Sequence, residues 1–225
     1  MADETTRVTA QQFHAAEGTA DWRVLISTAH AVFRTGDFAT GLALVGRIGE
    51  LAEEAGHHPD VDLTYPAVVV RLTTHDAGGL TGRDVALARR ISEAARELGV
   101  DADPTAPLQT EIAIDVLDRD AVLPFWAAVL GFERVQTDGY QDVDLRDPRG
   151  RGATIWFQQM DEPRPQRNRI HLDVWVAPDA ARERVAAVLA AGGTLLSDAE
   201  APSFWVLADP EGNEACVCTC LDRDR

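Results

Sequence analysis

Three of the six histidines fall at His57, His58 and His75. Imidazole is the side chain whose unperturbed pKa suits proton transfer near neutrality. Whether the three can act together depends on the chain between them. If residues 61–65 and 67–74 form a hairpin turning at Tyr65-Pro66-Ala67, paired positions sum to roughly 132, setting His58 beside Thr74 and His57 beside His75. One unbroken strand would instead hold His57 and His75 about 50–60 Å apart, at ~3.3 Å per residue. Pro66 favours the hairpin, because proline is tolerated at a turn and poorly tolerated mid-strand. His58 precedes Pro59, which confines its backbone to extended conformations. Convergent imidazoles open two chemistries: three plus a water make a catalytic zinc site, and two of differing protonation make a metal-free acid–base pair. Adjacent histidines tend to splay, which counts against zinc. Scattered surface histidines after a helix are the third reading.

The elements that would position them follow from apolar spacing. A short helix starts at Thr9, and Trp22 to Phe33 alternates as a strand or two. Leu42, Val45, Ile48, Leu51, Ala52 and Ala55 mark a helix over 38–55, stopped by Gly56. Strands follow at 61–65 and 68–74. Thr81 with Asp84 three residues on reads as a helix N-cap with a capping-box acid, and that helix ends at Gly99. The order predicts an α+β fold, an N-terminal antiparallel sheet with helices on one face. Two prolines and two aspartates in Asp101–Pro107 give linker composition, so the domains are 1–103 and 104–225.

The second domain repeats itself. Strand 111–117, helix 120–130 and strands near 132–136, 141–146 and 153–159 are echoed by strand 169–177, helix 179–191 and strands near 194–197, 203–208 and 214–220. These are paired βαβββ modules, an internal duplication with a period near 58 residues, too long for a solenoid. Asp-Pro turns recur at Asp147-Pro148 and Asp209-Pro210. Cys216, Cys218 and Cys220 share one face of a strand, spaced about 6–7 Å apart, at or beyond the range a disulfide prefers. Packed thiols in a reducing compartment are the plain reading; a metal clip or redox pair is the other. The tryptophans at 126, 156, 175 and 205 are read as core.

The 225 residues carry 21 basic and 37 acidic side chains, a formal charge of −16. That argues against non-specific binding to nucleic acid or anionic membrane, both of which need a basic face. No apolar run approaches the ~20 residues of a membrane span. The start, Met1-Ala2-Asp3-Glu4, has no signal-peptide pattern, and the expected location is cytoplasmic.

Trp22, Phe33-x-x-x-Asp37-Phe38, Glu53, His57-His58-Pro59, Tyr65 and Thr73-Thr74-His75-Asp76-x-Gly78-Gly79-Leu80-Thr81-x-x-Asp84 together resemble the pterin-4a-carbinolamine dehydratase family, over about residues 8–99. The resemblance implies dehydration of 4a-hydroxytetrahydropterin, which regenerates tetrahydropterin, by a compact subunit that assembles into a homo-oligomer. It implies no cofactor for that reaction. By position, His57, His58 and His75 are the catalytic and pterin-contacting histidines, and Glu53, Thr74 and Asp76 are substrate-binding. His58 is the expected base at N5, with His57 and His75 placing or protonating the hydroxyl. Val61 and Ala77 depart from the family pattern, at an aromatic and a cysteine position respectively.

Phe125-Trp126-x-x-x-Leu130-Gly131-Phe132, Asn168-Arg169-Ile170-His171-Leu172-Asp173 and Asp209-Pro210-Glu211-Gly212-Asn213-Glu214 resemble the glyoxalase-like branch of the vicinal oxygen chelate superfamily, over about 108–220. That likeness implies paired modules closing a cup-shaped sheet, many members holding a divalent metal by His and Glu on the inner strands. Here His171 matches a ligand position, Glu111–Asp115 has no histidine, and Cys216 stands where a ligand Glu often falls. A metal-free cup is therefore the leading expectation, with His171 the candidate ligand if a divalent metal binds. The alternatives to a dehydratase are a non-catalytic pterin-binding or oligomerisation module, and a metal-dependent glyoxalase-like enzyme.

Overall fold

A computed structural model describes residues 6–136, 143–163, 171–219 and 221–222. The chain divides into two compact units, 1–109 and 110–225. Among the described residues no helix is long and apolar enough to cross a membrane.

The first unit runs α1 (Ala10–Ala15), β1 (Arg23–Leu25), β2 (Thr28–Arg34), α2 (Phe38–Ala55), β3 (Asp60–Leu63), β4 (Ala67–Leu72), a 3-10 turn (His75–Ala77), α3 (Gly82–Glu97) and β5 (Asp101–Ala102). The sheet is antiparallel in the order β1-β2-β4-β3, with β5 also on β2. Ala31, Phe33, Val68 and Val70 alternate toward one face, where Leu44 and Ile48 of α2 and Leu87 and Ile91 of α3 cover them. The segment expected as a linker thus begins as a strand: Asp101 and Ala102 pair with Arg34 and Phe33.

The hairpin forms, but its register differs by one from the sequence expectation. Val61 faces Val70 and Leu63 faces Val68, and Thr64 N–H donates to the Ala67 carbonyl at 2.9 Å. Only Tyr65 and Pro66 lie in the loop, so paired numbers sum to 64 + 67 = 131. A two-residue loop is the tightest common hairpin connection; the expected turn included Ala67, which the strand claims. Extended backwards, this register sets His57 opposite Thr74 rather than His75.

The second unit is a duplicated βαβββ. The first module is β6 (Glu111–Val116), α4 (Arg119–Leu130), β7 (Glu133–Gln136), β8 (Val143–Arg146) and β9 (Thr154–Gln159). The second is β10 (Leu172–Trp175), α5 (Ala181–Ala190), β11 (Thr194–Ser197), β12 (Phe204–Ala208) and β13 (Glu214–Cys218). Their sheets have one topology, β6-β9-β8-β7 and β10-β13-β12-β11, each with its first and last strands parallel. One core serves both: Ile114, Phe157 and Leu145 from the first sheet and Leu207, Ala215 and Val217 from the second join α4 and α5 in a single apolar cluster. Alternate strand residues face away from it.

Trp126 and Trp205 are buried, as expected of core, but Trp175 is 57% exposed, on the same strand face as Asp173 and away from the core. Period-two alternation decides its direction, not side-chain type. Cys216 and Cys218 share that face of β13; Cys220, Asn168, Arg169 and Ile170 lie outside the described residues.

Candidate active site

Helix α2 delivers the histidine pair through its C-terminus. Gly56 adopts φ 55°, ψ 35°, the left-handed region where glycine has no Cβ penalty. Its N–H donates to the Glu53 carbonyl and the His57 N–H to the Ala52 carbonyl, at 3.2 and 3.1 Å. This paired arrangement is a Schellman motif, and it places His57 as the second residue past the helix.

His57 turns inward and is 6% exposed. Its Nε2 lies 2.7 Å from Asp84 Oδ1. Asp84 is fully buried. Its other oxygen, Oδ2, accepts from Thr74 Oγ1 at 2.7 Å, Thr81 N at 2.7 Å and Thr81 Oγ1 at 3.2 Å. Thr74 and Thr81 also share a hydrogen bond at 2.9 Å. A carboxylate only accepts, so His57 donates through Nε2. Among the described residues no hydrogen bond is made by Nδ1.

Asp84 closes the capping box at the start of α3 with Thr81. The same carboxylate therefore starts a helix and ties together both arms of the hairpin, His57 before β3 and Thr74 after β4. Sequence reading identified the cap but not this second role, which joins residues 27 apart. The signal available was an acid at a buried helix start beside two threonines and two histidine-bearing arms.

His58 points the other way and is exposed, with Nε2 3.1 Å from Glu53 Oε1. The two adjacent imidazoles thus splay, one into the unit and one outward. His75 and Asp76 are exposed on the 3-10 turn. Gly78, at φ 62°, ends that turn. Backbone bonds between Thr74 and Gly79 close the loop. The N-terminal segment braces it: Val8 N–H donates to the Leu80 carbonyl and Arg7 Nη2 to the Gly78 carbonyl, both at 2.9 Å. Of the expected site residues, His57 and Thr74 meet on one carboxylate, His58 and Glu53 meet each other, and His75 and Asp76 follow directly from Thr74.

In the second unit the Asp-Pro turns serve different ends. Asp147 binds its own turn, accepting from the N–H groups of Arg149 and Gly152 at 3.0 and 2.9 Å. Asp209 accepts from the N–H groups of Glu211 and Asn213, from Asn213 Nδ2, and from Trp126 Nε1 of the first module at 3.0 Å. Glu211 reaches the first module as well, accepting from the backbone of Leu117 and Asp118. On the face turned from the core, the first module sets Ala113 beside Trp156 and Asp115 beside Gln158. The second module sets Asp173 beside Cys216. Burial, with the Asp173 carboxylate beside it, pushes the Cys216 thiol up to about 12. The His and Glu set that the glyoxalase likeness implies for a divalent metal is not what these residues supply. Among the described residues the one grouping of three donors is His171, Asp173 and Cys216, with a thiol in place of a carboxylate and no donor from the first module.

Two family models match the chain. Residues 4–94 match that of pterin 4 alpha carbinolamine dehydratase, and residues 111–218 match that of a glyoxalase-like domain. A protein of Nocardia farcinica named "Putative pterin-4-alpha-carbinolamine dehydratase" is 58% identical over 59 residues, covering 26% of this chain and 62% of that protein. A protein of the same name from Chloroflexus aurantiacus is 48% identical over 73 residues, 32% of this chain and 78% of its own length. The chain therefore spans less than two thirds of the Nocardia relative and over three quarters of the Chloroflexus one. A solved glyoxalase/bleomycin resistance protein/dioxygenase family enzyme from Burkholderia phytofirmans PsJN is similar at 22% identity and a TM-score of 0.42, covering 50% of this chain and 98% of that one.

Proposed function

We propose that this chain, which belongs to the pterin-4a-carbinolamine dehydratase family through its first unit, dehydrates a 4a-hydroxytetrahydropterin to the quinonoid dihydropterin. The carrying observation is the convergence of both hairpin arms on Asp84, which fixes His57 and the residue before His75. Losing water across the N5–C4a bond needs a base at N5 and an acid at the hydroxyl. His58, exposed and held by Glu53, takes the N5 proton. His57 and His75 place and protonate the departing hydroxyl, His57 through Nδ1 while Asp84 holds Nε2. Thr74, Glu53 and Asp76 border the substrate. Asp84 is a positioning residue. The proton taken at N5 balances the one given to the hydroxyl, so the step needs neither a metal nor a redox cofactor.

Turnover of a freshly generated 4a-hydroxytetrahydropterin by the full chain tests this. His58→Ala should lower the rate about 10²-fold or more. Full turnover in that variant refutes the assignment, and tight pterin binding without turnover in the unaltered chain points to a binding module instead. Assembly into a homo-oligomer is part of the same reading. Phe38 and Leu42 of α2 are 50% and 57% exposed, an apolar strip suited to a second copy. Sedimentation of the full chain should give a multiple of the 24.4 kDa subunit, and Leu42→Glu should shift it to the monomer.

A further inference from the structure

We infer that Arg7 is a positioning residue for His75: from the segment before α1, its guanidinium holds the 3-10 turn that carries His75 and so sets where that imidazole stands. The consequence for turnover rests on the dehydratase reading; the hold on the turn does not.

The turn needs support from outside. Its own bonds are local. Ala77 N–H donates to the Thr74 carbonyl and Gly78 N–H to the His75 carbonyl, at 3.1 and 3.0 Å, and Thr74 and Gly79 exchange backbone bonds at 3.0 and 3.4 Å. These close a ring whose base, Thr74, is anchored on Asp84, but they do not tie its tip to the rest of the unit. None of residues 75–77 is buried, and the hydrogen-bond geometry of a short 3-10 turn is poor. Among the described residues, the bond from Arg7 Nη2 to the Gly78 carbonyl, at 2.9 Å, is the one hydrogen bond joining residues 75–78 to a distant part of the chain.

Arg7 leaves an anchored backbone. It bridges to Thr81, and Val8 N–H donates to the Leu80 carbonyl. Thr9 then starts α1 with a capping box, and the fully buried Phe13 seats that helix in the core. The guanidinium also lies against Gly79: a Cβ built there would stand 3.1 Å from Arg7 Nη2 and 3.7 Å from Nε. Gly79 has no positive φ, so its missing side chain serves this close approach and not the dihedrals of the turn. A planar guanidinium can hold a carbonyl and cover the neighbouring backbone at once; the point charge of an ammonium cannot. The other arm has its own grip, since Arg83 donates to the Gly56 carbonyl directly before His57. Each histidine arm is thus pinned by an arginine at the carbonyl of a left-handed glycine, Gly56 or Gly78. Losing Arg7 leaves the grip on Gly56 in place.

The test compares carbinolamine turnover and amide hydrogen exchange of the full chain in Arg7→Ala, Arg7→Lys, Gly79→Ala, His75→Ala and the paired variants. Arg7 is exposed, so its variants should fold. Exchange at residues 75–79 should quicken in Arg7→Ala and Gly79→Ala, with α2 protected as before. In both, kcat should fall about tenfold, because a small misplacement of a reacting group is costly, while KM stays within about twofold. Arg7→Lys should recover part of the loss. His57 shares the task of placing the hydroxyl, so His75→Ala should keep measurable turnover. In that background Arg7→Ala should change nothing further, and Gly79→Ala should add nothing to Arg7→Ala. An equal loss from Arg7→Ala with and without His75 means a general structural role and overturns the assignment. So does exchange at 75–79 that Arg7→Ala does not move. An unaltered chain without turnover would sink the dehydratase reading, and the exchange comparison would then decide the hold by itself.

Discussion

Asp84 in the first unit and Asp209 in the second are 0% and 3% exposed, and among the described residues each accepts four hydrogen bonds. Both complete a local turn and both reach across the fold to an aromatic ring. The rings differ. Asp84 holds an imidazole, which keeps a second nitrogen able to gain or lose a proton. Asp209 holds the Trp126 indole, which has a single N–H and no second nitrogen. A buried, fully satisfied carboxylate is therefore not itself a mark of chemistry; what it grips decides whether it orients a reacting group or fastens two modules together.

The largest effect expected from breaking this contrast comes from Asp84→Asn. It should cost the first unit about 3–5 kcal/mol, as loss of a buried charged partner does, and should lower carbinolamine turnover even where the fold survives. Chemical unfolding followed by probes in each unit, alongside turnover, checks both halves.

A buried imidazole without an acceptor sharpens the same point. His30 is 8% exposed and its Nε2 has no partner among the described residues. Burial, and then Arg71 beside it on the sheet, push it down from 6.5 to about 4. The folded value lies below the unfolded one, so between these values the unfolded chain holds more protons. Stability of the first unit should fall as pH drops through 6.5, by up to about 3 kcal/mol once below 4. Urea unfolding of wild type and His30→Val across that window measures the difference; parallel pH curves would remove this role for His30.

Asp209→Asn should cost less, about 2–3 kcal/mol, because its donors are neutral and two of them are backbone N–H groups of the same turn. The loss should appear in the second unit only, with turnover intact. A fall in turnover would mean that Asp209 is not purely structural.

Much of the architecture was legible because local signals and the global fold agree. Thr81 and Asp84 announced the start of α3, Gly56 the end of α2, and the spacing of apolar residues the duplicated modules. What escaped is non-local. The hairpin register turned on one residue, Ala67, which pairs with Arg34 as part of β4 instead of sitting in the loop. The grip of Asp84 on His57 requires α3 to pack against the end of α2, which no window of sequence contains. The hydrophobicity of Trp175 predicts core, yet its strand parity points it outward. The pairing of Asp173 with Cys216 likewise depends on a parallel strand partner over forty residues away.

The single core under both modules of the second unit has a consequence for how such a protein can change over generations. Duplication furnished two sheets but one interior, and alternate strand residues point away from it. Each sheet's outer side can therefore drift: one carries alanine, tryptophan, carboxylate and glutamine, the other sulfur and carboxylate. New reactivity can arise on either copy while its twin keeps the architecture standing.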